Sequence, residues 1–339
     1  KTSSKSGFTD IILNPNTNPV IDSHSSVSHI YKKTNDSATK VHVLGALTKE
    51  SLGNDMAELY DMHLAGAIAF GDYKKSLNDS NLMRISLDYV QNFNGLILSY
   101  PSDFNLSKEG LMHEGSVSLN LGIKGIPEIA ETSILSRDLE ILEYTNGRIH
   151  FPFISCEKSL NIIRKAKQNG LKVTCGVSIA HLIFTDDSLF SYNPNFKLNP
   201  PLRSKKDREA LRKGLLDGSI DLVSSMHEPV NIEHKKVEFS KAIDGSISLE
   251  SFFGILNSIF TLEKTISFLT KGKGLFNIKQ SMIEIGEKAN ITMFCPDTIY
   301  EFNDKHILSK SKNCAFIKSS LKGRVFGIIN GENSVLNSE

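Results

Sequence analysis

Tryptophan is absent from the chain, and no two cysteines stand in C-x-x-C spacing. The four cysteines, Cys156, Cys175, Cys295 and Cys314, are too scattered for a disulfide scaffold or a thiolate zinc site. Free thiols in a reducing compartment are expected instead. Neither G-x-G-x-x-G nor G-x-x-x-x-G-K-[ST] occurs, which removes the phosphate loops of dinucleotide-binding and P-loop folds. No G-x-S-x-G elbow occurs, which argues against a serine hydrolase of that type. Charge of one sign is lacking too. Lys and Arg number 39 against 38 Asp and Glu, a formal net charge of +1, so no field directs the chain to nucleic acid. No apolar run approaches the ~20 residues that span a bilayer, and Lys1–Phe8 has no signal-peptide core. Neither nucleic acid nor membrane is expected as a partner, and the expected location is cytoplasmic.

What is present is ordinary globular composition. Of 339 residues, 40% are hydrophobic and 23% charged, and 19 phenylalanines supply the aromatic core volume. The length suits a barrel of about 250 residues with an accessory piece. Short apolar runs read as strands at Asp10–Leu13, Val41–Ala46, Gly66–Phe70, Gly95–Leu98, Arg148–Phe153, Leu171–Val177 and Ile220–Ser224. Their hydrophobicity is continuous rather than alternating, which marks strands covered on both faces of a parallel sheet. Helical periodicity lies between them: Ser51–Ala65, Leu82–Asn92, Ser133–Tyr144, Ser159–Asn169 closed by Gly170, and Asp207–Asp217 closed by Gly218. Strand–helix alternation of this kind indicates a TIM-type (β/α)8 barrel. Leu249–Phe268 reads as a long apolar helical region. The tail, with strands at Asn290–Phe294 and Val325–Ile329, reads as a small β-rich appendage. The division expected is a barrel over 1–285 and a β-sandwich appendage over 286–339, completed by the chain ends.

Several strings carry a resemblance. They are Gly7-Phe8-Thr9 with Pro15-Asn16-Thr17-Asn18-Pro19, then Gly66–Asp72, Met112–Ser116, Leu121–Pro127 and Glu131. The longest is Lys197-Leu198-Asn199-Pro200-Pro201-Leu202-Arg203, followed by Asp207-Arg208 and Asp217–Asp221. Together they resemble the dihydroorotase family of the amidohydrolase superfamily, over almost the whole chain. The resemblance implies reversible ring closure of N-carbamoyl-aspartate to dihydroorotate in pyrimidine biosynthesis. It also implies one or two divalent metals, usually zinc, that polarise an amide carbonyl and activate water.

The family's metal pattern is incomplete here. No H-x-H string occurs, and the resemblance begins just downstream of the strand that would carry it, so that strand is expected upstream. Asp72-Tyr73 stands for an acidic pair, leaving Asp72 as the one surviving metal candidate. Tyr100 and Phe153 fall at expected histidine positions, and Met226 falls where the catalytic Asp is expected. His227 follows it as a weak relic acid–base candidate, and His181 is the one histidine kept in another family segment. Phe and Met offer no donor to zinc, and a catalytic zinc takes three protein ligands. The expectation is therefore a dihydroorotase-like protein with a degenerate metal site, no bound cofactor and little or no activity. The resemblance then implies a structural or regulatory partner of aspartate transcarbamoylase, with a homodimer also expected. The alternative is an active dihydroorotase, or related cyclic amidohydrolase, with zinc in a rearranged site. Asn16 and Asn199 are the substrate-binding candidates, although each also reads as a turn-forming residue in a proline-fixed loop.

Overall fold

The short apolar runs pair into one parallel sheet. β1 (Asp10–Leu13), β2 (Lys40–Gly45), β3 (Ala69–Phe70), β4 (Ile97–Leu98), β5 (Ile149–Phe151), β6 (Val173–Ser178) and β7 (Leu222–Ser224) lie side by side in sequence order. Ile11 faces Val41, Phe70 faces Ile97 and Val177 faces Val223, all in parallel register. Between the strands run α1 (His24–Thr34), α2 (Leu59–Leu64), α3 (Ser80–Val90), α4 (Ile129–Thr145), α5 (Glu157–Gln168) and α6 (Lys205–Leu216). The fold is a TIM-type (β/α) barrel, seen in a computed structural model that describes residues 1–337. Among the described residues β1 and β7 are not paired with each other.

Local chemistry sets the helix ends. The Asp79 carboxylate accepts from the Asn81 and Leu82 N–H groups at the start of α3, and Ser204 closes a capping box with Asp207 at the start of α6. Gly170 and Gly218 follow α5 and α6 with φ of +82° and +81°, a conformation that costs a side-chain-bearing residue about a kcal/mol. α3 buries Leu82, Met83, Leu87 and Val90, and α4 buries Leu135, Leu139 and Leu142. Each such side chain contributes roughly 1.5–3 kcal/mol by leaving water.

Two helical expectations change. The stretch from Ser51 to Glu58 is a loop, and α2 begins only at Leu59. Glu50, Ser51 and Gly53 have positive φ, Thr48 bridges to Met56, and Leu52 is 61% exposed, so the apolar spacing there does not mark a buried face. The apolar region 249–268 is two helices, α7 (Phe252–Ile259) and α8 (Leu262–Thr270), because the Thr261 hydroxyl accepts from Lys264 N–H and starts a new helix.

The β-rich tail is an antiparallel sheet of β8 (Asn290–Glu301), β9 (Ser320–Asn330) and β10 (Asn333–Leu336). α7 packs on it closely: a Cβ at Gly254 would come within 2.9 Å of the Leu321 Cβ, and Asn257 donates to the Pro296 and Lys322 carbonyls. At the other end Thr292 donates to the Gly7 carbonyl, and Asn337 donates to that of Lys5. The barrel floor joins the sheet through Asp10, which accepts from Lys273 at 2.8 Å and Asn290 at 3.1 Å and pairs with His42 at 2.9 Å. Burial opposes ionisation of Asp10, but these partners outweigh it and hold the carboxyl below its usual range. An amide suits position 290, since Asn290 donates to Asp10 while accepting from Thr9 and Lys273. No helix among the described residues is long and apolar enough to cross a membrane.

Candidate functional site

A cavity of about 960 Å³ runs along the β1–β7 edge of the barrel, from Asp10 and His150 on the floor to the loops after the strands. At the C-terminal strand ends, where barrel enzymes carry their chemistry, it is lined by Asn16, Tyr73, Phe153, Met226, His227 and Glu228. The cavity thus brings together four sequence candidates, Asn16, Phe153, Met226 and His227, with two groups the sequence left unassigned.

Asn16 lies on the loop after β1, and its side chain has no hydrogen-bond partner in the protein among the described residues. The turn is made instead by Thr17, whose hydroxyl donates to the Pro19 carbonyl at 2.7 Å and whose N–H donates to Pro15. Of the two readings weighed for Asn16, substrate binding and turn formation, the turn falls to Thr17. Asn199 does not line the cavity; its side-chain oxygen accepts from the Tyr100 hydroxyl at 2.6 Å. Tyr100 is 3% exposed, and burial raises its phenol well above the ordinary value, so it stays a neutral donor. It ties the end of β4 to the 197–203 loop.

Asp72 sits apart from the cavity wall. Its carboxylate accepts from the Leu47 and Thr48 N–H groups at 2.9 and 3.0 Å and from the Thr48 hydroxyl at 2.6 Å. Both oxygens are committed, so Asp72 clamps the turn after β2, which corrects its reading as a metal candidate. Burial raises its pKa, against those hydrogen bonds. Phe153 and Met226 are 6% and 5% exposed and belong to the main core.

His181 is also structural. Its Nε2 meets the Pro201 carbonyl at 3.1 Å, so Nε2 carries the proton, and Nδ1 accepts from the Ser178 hydroxyl at 2.7 Å. Burial lowers its pKa to about 4. The 197–203 loop is thus held from β4 by Tyr100 and from the end of β6 by His181. Burial pushes the Cys156 and Cys175 thiols up to about 12, which leaves both unreactive.

The missed feature is a charged group across the mouth. Glu228, on the loop after β7, accepts from the Tyr73 hydroxyl at 2.6 Å and from the Lys74 ammonium at 2.5 Å. Burial, and then the negative charge of Glu228, raise the Tyr73 phenol far above its ordinary value. These residues lie 154 and 155 positions apart, and no local spacing signals the pairing.

One further cluster has ligand atoms close enough for a metal: His113, Glu128 and Asp207. Arg203, which can only donate, reaches His113 Nδ1 at 3.1 Å, so the Nε2 of the neutral ring bears the proton. Asp207 is already engaged by Glu157 N–H and by Ser204. Burial, then the Arg203 charge, lower the His113 pKa to about 4. As arranged, a cation there would face a guanidinium and a protonated ring nitrogen.

A family model described as "Dihydro-orotase-like" matches residues 1–159. A dihydroorotase of Pelotomaculum thermopropionicum is 35% identical over 99% of this chain and 80% of its own length. One of Endomicrobium trichonymphae is 35% identical over 99% of this chain and 82% of its own. Among solved structures, L-hydantoinase (dihydropyrimidinase) from Arthrobacter aurescens superposes with a TM-score of 0.84 at 18% identity, covering 99% of this chain and 79% of that one. A dihydroorotase from Saccharomyces cerevisiae, in complex with 5-fluoroorotic acid, gives 0.74 at 16% identity, covering 96% and 91%. Those structural likenesses speak for the fold.

Proposed function

This chain belongs to the dihydroorotase family, and we propose that its barrel mouth takes that family's ligands, cyclic ureides of the dihydroorotate type, as a dihydroorotase or related cyclic amidohydrolase. The observation that carries the reading is 35% identity extending along 80% of a relative named dihydroorotase. Asn16 and His227, which both line the cavity, support it.

The family's metal does not fit the positions where the resemblance puts its ligands. Asp72 is spent on Leu47 and Thr48, Tyr100 on Asn199, and Phe153 and Met226 have no oxygen or nitrogen donor to give. No step is therefore assigned to a metal at those positions. What the chain's own residues do is bind and orient. Tyr100 and His181 fix the 197–203 loop, the Tyr73–Glu228–Lys74 group fixes the rim, and Asn16 offers an unpartnered amide to a ligand.

A second reading rests on that same misfit: a scaffold without turnover, acting as a structural or regulatory partner of aspartate transcarbamoylase or as a homodimer. One set of measurements separates the two. Purified protein is assayed for dihydroorotate hydrolysis and carbamoyl-aspartate cyclisation, with metal content measured and zinc supplied. Turnover supports the first reading, whereas none with or without zinc leaves the second. Co-sedimentation with aspartate transcarbamoylase and sizing of the protein alone test its two partner forms.

A further inference from the structure

The backbone at the end of β7 is strained where the family pattern expects its catalytic Asp. Met226 has φ of +47°, a left-handed conformation that strains a residue with a side chain. Such a turn persists only when the surroundings over-determine it, and here they do. His227 bridges to Ser246, Glu228 N–H donates to the Ser246 carbonyl at 2.9 Å, and Asn313 donates to the Glu228 carbonyl at 2.8 Å. His227, the residue after this strained turn, lines the cavity.

The His227 ring is then fixed by its own hydrogen bonds. Nδ1 lies 3.1 Å from Ser248 N and 3.2 Å from Leu249 N. Both are backbone N–H donors, so Nδ1 accepts and cannot carry the proton. In the neutral ring the proton is on Nε2. Nε2 has no hydrogen-bond partner in the protein among the described residues. Burial lowers the ring's pKa, against the pull of Glu250 and Glu228, which keeps it neutral at pH 7. Lys74, across the rim, is committed to Glu228.

We propose that His227 is a fixed, neutral N–H donor of the ligand pocket, presenting Nε2–H to a carbonyl or carboxylate oxygen of a bound cyclic ureide. The inference rests on the reading of the mouth as a ureide pocket. It assigns ligand polarisation to an imidazole that the Phe153 and Met226 positions cannot provide. Such a donor needs no reorganisation when the ligand enters, because its partner nitrogen is already locked by two backbone groups. No proton is transferred; the ring donates a hydrogen bond and keeps its tautomer.

The test pairs a ligand-free measurement with a binding one. Nitrogen-15 NMR of histidine-labelled protein at pH 7 is expected to show His227 as the Nε2–H tautomer. Calorimetric titration then uses two probes: dihydroorotate, with ring carbonyls and a carboxylate, and dihydrouracil, with ring carbonyls alone. H227N puts an amide oxygen where Nδ1 accepts from Ser248 and Leu249 but has no donor at the Nε2 position. It is expected to weaken binding about tenfold, as for one lost hydrogen bond to ligand. H227Q, whose longer amide reaches the Nε2 position, is expected to recover part of the loss. Loss with both probes assigns the donor to a ring carbonyl; loss with dihydroorotate alone assigns it to the carboxylate. An Nδ1–H tautomer, or unchanged affinity in a folded H227N, overturns the inference alone. Failure of the wild-type protein to bind either probe overturns it together with the pocket reading.

Discussion

His181 makes the stability of the 197–203 loop dependent on acid. The ring is 2% exposed, donates from Nε2 to the Pro201 carbonyl and accepts at Nδ1 from Ser178. Its pKa falls from 6.5 to about 4, chiefly because burial penalises the charged form, so between those values the unfolded chain binds the proton and the folded one does not. Stability from this group is present above pH 6.5 and is lost as pH falls toward 4. At pH 4.5 a two-unit advantage for the unfolded state, less a small native-state uptake, amounts to about 2–3 kcal/mol. The perturbation is H181Q, which keeps a donor and an acceptor but does not titrate. Urea unfolding followed by circular dichroism at pH 7 and pH 4.5 gives the change for each protein. The wild type is expected to lose about 2–3 kcal/mol more than the variant over that interval. At pH 7 the variant costs about 1 kcal/mol for imperfect hydrogen bonds. Parallel losses in the two proteins would refute the assignment of a buried, neutral His181.

Three further outcomes are expected. Y73F removes the hydroxyl that donates to Glu228, and should lower stability by about 1–2 kcal/mol in chemical denaturation; no change would show that the rim contact is not formed in solution. D72A leaves the buried Leu47 and Thr48 N–H groups without their acceptor, for about 3 kcal/mol in the same assay. Metal content measured alongside should not change, and a loss of bound metal would contradict the clamp. With a thiol reagent at pH 8, Cys295 should react first. Thr298 donates to its sulfur and draws its pKa down, whereas burial raises Cys156, Cys175 and Cys314 to about 12. Labelling mapped by mass spectrometry reads the order.

Where one element decides its own structure, the sequence is a sound guide. Asp10–Leu13 and Val173–Ser178 are apolar on both faces and become parallel strands, and Gly170 and Gly218 end the helices they follow. The apolar spacing over 51–65 misleads because left-handed residues at Glu50 and Ser51 start a loop that leaves Leu52 in solvent. Family positions are legible at Tyr100, Phe153 and Met226: Phe and Met have no oxygen or nitrogen to offer a metal, and a neutral phenol is a poor ligand. What each does instead was not legible. Tyr100 reaches Asn199, 99 residues on, and Asp72 reaches back to Leu47 and Thr48.

The order of strands and helices, and the chemical types standing at the family positions, follow from the chain alone, because periodicity, capping and side-chain identity are local. The pairing of Glu228 with Tyr73 and Lys74, the capture of Asp72 by a neighbouring turn and the tautomer of His227 belong to the folded barrel. Hydrogen bonds act over about 3 Å, and only the folding of the chain into its parallel sheet and the loops above it brings groups so far apart in sequence to that distance.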